Sequence, residues 1–155
     1  MHRSEEIVIN TGPIIAITAA LGSLDTLQMY RRVWVPWAVC QEILAGGPSG
    51  FAVAEFRAAH WLQTESTPLE IAPILVNSLD QGEAAVIQLA LDKNIQTVCI
   101  DEAAEAALVH VMAAHRPRAR VCGQFGGGKD VLPTDVLHPR PLPVGIRILA
   151  FHGEG

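Results

Sequence analysis

The 155-residue chain is poor in aromatics and in charge: 5% of its residues are Phe, Trp or Tyr and 17% are Asp, Glu, Lys or Arg. It has only three cysteines, Cys40, Cys99 and Cys122, far apart and without a C-x-x-C pair. An odd, scattered set excludes a disulfide framework and a cysteine zinc site, and reduced thiols in a cytoplasm are the expectation. None of the six histidines stands in an H-x-x-x-H spacing, so none reads as a metal ligand. No apolar run approaches the length of a membrane span. The start, MHRSEEIVIN, carries charge where a signal peptide needs a long apolar stretch. The chain is expected to be a cytoplasmic protein with no membrane partner.

What is present in quantity is aliphatic: half of the residues are hydrophobic. That suffices for one folded core and argues against disorder. Ala, Val, Ile and Leu dominate, the usual filling of a parallel sheet covered by helices. The net charge of −5 is unevenly spread. Residues 116–155 carry six of the eleven Lys/Arg and three of the sixteen Asp/Glu, which leaves residues 1–115 with five basic against thirteen acidic side chains, a balance of −8. Such a body does not attract phosphate through its general field.

Along the first 115 residues, strand-like and helix-like segments alternate. Ile7–Ile9, Val33–Val35, Trp61–Thr64 and Thr97–Ile100 read as strands. Helices are expected from Pro13 to Leu21, ended by Gly22, and then in a short piece from Ser23 to Met29. Further helices are expected from Pro36 to Leu44, Phe51 to Ala59, Leu79 to Asp92, and Glu102 to His115. Asp80 with Glu83 three residues on forms a capping-box pattern. The alternation implies an α/β fold with a central parallel sheet of four or five strands and helices on both faces. No internal repeat is found.

Residues 116–155 differ, with five Pro and seven Gly in forty residues against five and six in the first 115. The expected division is a domain over 1–123 and a Gly/Pro-rich tail over 124–155. Within 124–143 little regular structure is expected, and GIRILAF (145–151) is the segment suited to pair as an edge strand or across a dimer. A changed reading frame and a lineage-specific extension both fit this composition. In the tail, Gly123 to Asp130 nearly matches a phosphate-binding loop, but Asp130 replaces the hydroxyl that would hold Mg²⁺ and Pro133 stops the helix that should follow. ATP and GTP binding are therefore not expected.

The candidate chemistry lies at strand ends. In an open parallel sheet the carboxyl ends form the ligand crevice. Asn10 follows the first strand and Asp101 the last, with Glu102 beside it. Glu42 and Glu83 come from helices, and Asn10, Glu42, Glu83 and Asp101 converge on one edge if the sheet closes as expected. Each has a plainer reading. Asp101 suits a helix N-cap, Glu83 a capping box, Glu42 a solvated helix face and Asn10 a turn before Gly12-Pro13. Trp34, Trp37 and Trp61 read as packing residues.

Four segments in order, IVINTGPIIAITAALGSLDTL, VPWAVCQEILAGG, LDQGEAAVIQLALDKN and TVCIDEAA, resemble PIN-domain proteins, in particular a prokaryotic PIN-like family related to toxin–antitoxin ribonucleases. The resemblance covers roughly residues 6–110. It implies a three-layer PIN-like fold and, for active members, hydrolysis of RNA with Mg²⁺ or Mn²⁺. It carries Asn10, Glu42, Glu83 and Asp101 onto the metal-binding acidic positions, with Glu102 as a fifth. Glu42, Glu83 and Asp101 are then the catalytic carboxylates, and Thr11 a substrate-binding residue. Oxygen ligands suit such hard cations. The departure is Asn10, where active members carry Asp; the amide keeps an oxygen but loses a charge. The resemblance also implies RNA, an antitoxin protein and a second copy as partners, for which Phe51, Phe56 and Trp61 are apolar contact candidates.

Overall fold

A computed structural model describes residues 5–47, 50–101, 106 and 147–151. Five strands form one parallel sheet: β1 (Glu6–Ile9), β2 (Arg32–Val35), β3 (Gln63–Thr64), β4 (Thr97–Asp101) and β5 (Arg147–Phe151), in the order β3-β2-β1-β4-β5. Around it lie α1 (Thr11–Leu21), a 3-10 turn (Asp25–Met29), α2 (Trp37–Leu44), α3 (Val53–Ala58), α4 (Pro73–Val76) and α5 (Gln81–Asp92). Among the described residues, no helix is long and apolar enough to cross a membrane.

Successive side chains of a strand point to opposite faces. Ile7, Val8 and Ile9 are all fully buried, as are Val98, Cys99 and Ile100 to within 1%. Both faces of the central strands are therefore covered, and the architecture is the expected three-layer α/β type. Each such aliphatic side chain contributes roughly 1.5–3 kcal/mol by leaving water. At the amino ends Glu6 accepts hydrogen bonds from Arg31 and from the Trp34 indole. Burial works to raise the Glu6 pKa, but these two bonds and the charges of Arg31 and Arg32 outweigh it and hold the group below its usual value. Lys93 lies 4.0 Å over the Trp34 ring and pairs with Glu65 at 3.0 Å.

Several boundaries differ from the sequence reading. The helix expected from Phe51 begins at Val53, because Ala52 takes a left-handed φ of 64° as its N-cap. The chain folds back tightly just before it: a Cβ on Gly50 would lie 2.8 Å from Gly46 backbone. Ala59 to Leu62 is held in turns, which shortens the expected strand from Trp61 to Gln63–Thr64. Helix α4, too short to show a period, was not expected. Phe56 is buried at 7% and Trp61 packs half-buried on the core, so of the three apolar contact candidates only Phe51, 62% exposed, remains on the surface. Cys40 and Cys99 are free and buried, and burial pushes their thiols up to about 11 and about 12. The end of GIRILAF, residues 147–151, pairs with β4 along its whole length at the sheet edge. The helix expected over 102–115, the segment 124–143, Cys122 and the loop around Lys129 lie outside the described residues.

Candidate active site

The carboxyl ends of β1 and β4 lie side by side, and the Asn10 backbone N–H donates to the Cys99 carbonyl at 3.0 Å. Asn10 leaves β1 in an extended conformation and becomes the N-cap of α1. Its Oδ1 accepts the Thr11 N–H at 2.8 Å, and the residue is buried at 6%. The cap lets α1 start at Thr11, two residues before the expected start at Pro13.

From this corner the contacts close a ring. The Thr11 hydroxyl donates to Glu42 Oε2 at 2.5 Å, tying α1 to α2. A Cβ on Gly82 would stand 2.6 Å from Glu42 Oε1, so the first turn of α5 lies directly against that carboxylate. The next residue, Glu83, is near enough to Asp101, the last residue of β4, for that charge to help raise its pKa. Asp101 returns to the start of the ring, since a Cβ on Gly12 would stand 3.0 Å from its Oδ2. Thr11, Glu42, Glu83 and Asp101 are thus gathered around one corner with Asn10 at its base. Glu102 lies outside the described residues.

Glu83 closes a complete capping box: its backbone N–H donates to Asp80 Oδ1 at 2.8 Å, and the Asp80 N–H donates to Glu83 Oε2 at 3.1 Å. Burial is the first cause that pushes its carboxyl above the usual range. The Asp80 N–H works against this, while the charges of Asp80 and Asp101 add to it.

Gly12 and Gly82 were not singled out as site residues in the sequence. Gly12 read as part of a turn, yet it is helical, and its missing side chain makes room for Asp101. The available signal was position: each glycine sits beside a site residue, in NTG and in QGE.

In chemical kind, the oxygen donors suit a hard divalent cation. Among the described residues, no three His, Cys, Asp or Glu side chains gather closely enough to hold an ion. Three of these oxygens also accept protein hydrogen bonds: Asn10 Oδ1 from the Thr11 N–H, Glu42 Oε2 from the Thr11 hydroxyl, and Glu83 Oε2 from the Asp80 N–H. The described site residues form a ring with a hydrogen-bonded Thr11–Glu42 side and a Glu83–Asp101 side. The described cavities lie elsewhere. One of about 300 Å³ is lined by Glu5, Glu6, Arg31 and Lys93 at the amino ends of the strands, and one of about 410 Å³ lies between Leu69, Ile71, Val76 and Leu79.

A family model described as a PIN domain matches residues 6–111. PIN domains have a nuclease-type fold and generally use divalent metal ions. No curated protein and no solved structure matches the chain.

Proposed function

The chain belongs to the PIN-domain family, and from that premise we propose that it is a PIN-type ribonuclease domain with an impaired hydrolytic site, acting by binding RNA or a protein instead of cutting. The observation that carries this reading is Asn10. It stands at the β1 end, where the resemblance implies a metal-binding Asp, and its uncharged carboxamide caps α1. A unit charge about 4 Å from a cation is worth on the order of 4 kcal/mol per charge product at an effective dielectric near 20. Losing it removes a large part of what would hold a metal, even after water replaces the ligand.

The competing reading is an active Mg²⁺- or Mn²⁺-dependent endoribonuclease, such as the toxin of a toxin–antitoxin pair. It is favoured by the retention of Glu42, Glu83 and Asp101 at the carboxyl edge with Thr11 in contact. A homodimer and an antitoxin belong to the same proposal, with Phe51 as the exposed apolar contact. A cytoplasmic setting fits the free thiols of Cys40 and Cys99.

The deciding experiment incubates the native chain with RNA and Mn²⁺, with and without a chelator. The expected result is no chelator-sensitive cleavage. Strong Mn²⁺-dependent cleavage by the native chain would reject the impaired reading in favour of the active one.

A further inference from the structure

We infer that Gly82 and Gly12 are positioning residues of the acidic corner: each is the bare second residue of a helix, and a carboxylate from another element is seated on it. The inference rests on the reading that this corner is the domain's site. Gly12 follows Thr11 at the start of α1, and Gly82 follows Gln81 at the start of α5. Glycine is a costly choice in a helix, because it loses the most conformational freedom on folding. Neither position uses that freedom, since the left-handed glycines among the described residues are Gly22 and Gly47. Space is what both supply. The three atoms nearest a Cβ on Gly82 all belong to Glu42, with Oε1 at 2.6 Å and both Cδ and Oε2 at 3.1 Å. The three nearest a Cβ on Gly12 all belong to Asp101, with Oδ2 at 3.0 Å.

Each helix start meets both carboxylates. The first turn of α1 gives Glu42 the Thr11 hydroxyl and gives Asp101 the bare Gly12. The first turn of α5 gives Glu42 the bare Gly82 and brings Glu83 near Asp101. Both seats lie at positive helix ends, which favour carboxylates. Glu42 is held from two sides, by a donor on Oε2 and by backbone against Oε1. Its carboxylate is the far end of a flexible side chain, so a methyl group at position 82 would displace the carboxylate and leave the helix in place. That separates positioning from packing: the fold tolerates Gly82→Ala, while Glu42 loses its place and its Thr11 hydrogen bond.

The test follows the Glu42 carboxyl carbon by NMR in the full chain, with ¹³C at the glutamate carboxyls and the signal assigned through Glu42→Gln. Thr11→Val and Gly82→Ala should each shift this resonance. In the Gly82→Ala background, Thr11→Val should add no further shift. Gln81→Ala, one residue earlier in the same turn, should leave the resonance where it is. An unmoved resonance in Gly82→Ala, or an equal shift in Gln81→Ala, would overturn the inference. Thermal unfolding gives a second readout. In a Glu42→Ala background the obstacle is gone, and Gly82→Ala should raise the melting temperature, because Ala is the better helix former. A lower melting temperature there would mean that the glycine serves the backbone and not Glu42, and the inference would fail. The two readings fail separately: Mn²⁺-dependent RNA cleavage by the native chain overturns the impaired reading, whereas an unmoved Glu42 resonance overturns only this inference.

Discussion

At the scale of single residues, Glu83 responds to its electrostatic setting. Burial first, then the charges of Asp80 and Asp101, lift its folded-state pKa above the ordinary 4.5. For a group raised in this way, stability is fully present below the unfolded pKa and is lost as pH rises through the folded one. Ionised Glu83 therefore costs the native state something at neutral pH. Gln can take the same capping-box position without the charge. Glu83→Gln is expected to melt at a higher temperature than the native chain at pH 7, with the difference shrinking on acidification and vanishing below about pH 4.5. A pH-independent difference, or a lower melting temperature at pH 7, would contradict the assigned cause. Glu6 has the opposite sign. Its pKa is held down by Trp34, Arg31 and Arg32, so its contribution is present above the unfolded pKa and lost as pH falls.

At the scale of elements, the site is built by helix starts. Helix α1 begins on Asn10 and α5 on Asp80, and both caps sit beside site residues. The α5 cap has both arms, so Asp80 orients Glu83 as well as starting the helix. Asp80→Ala is expected to lower stability by about 0.5–2 kcal/mol in urea unfolding, as the loss of a capping side chain does. An unchanged midpoint would show that packing of Ala84, Val86, Ile87 and Leu89 alone secures the helix, all of which are buried. At the other end of the scale, α4 has only four residues, and its single buried side chain, Leu75, holds it against the core. Such an element has no stability of its own, because nucleating a helix is costly and one turn returns little.

At the scale of the whole molecule, the notable feature is that the sheet is completed from the far end of the chain. Residues 147–151 pair in parallel with all five residues of β4, across an intervening stretch whose composition is rich in Gly and Pro. Thr97, Val98, Cys99 and Ile100 are buried with β5 in place. Deleting residues 124–155 would uncover the hydrogen-bonding edge of β4 and part of this core. The expected outcome is a fall in melting temperature of roughly 10 °C or more, or loss of solubility. A truncated chain that melts like the native one would mean that β5 contributes nothing to the fold. The charge asymmetry belongs to this scale too. An acidic body does not attract phosphate through its general field.

The sequence by itself determined the fold class and the strand set. The runs IVI and VCI are apolar at every position, as a strand buried on both faces is. It also determined the capping box, because Asp80 and Glu83 lie within one helical turn and need no partner from elsewhere. Asn10 and Asp101 were legible as positions at strand ends, Glu42 and Glu83 as acidic positions on helices, and GIRILAF as a pairing segment. Only the tertiary structure decided how those positions meet. The Thr11–Glu42 bond joins residues 31 apart, and the roles of Gly12 and Gly82 are fixed by carboxylates from other elements, which local pattern does not encode. The same holds for Asn10. Its type could be read from the chain, but that its Oδ1 caps α1 depends on the backbone direction where β1 and α1 join.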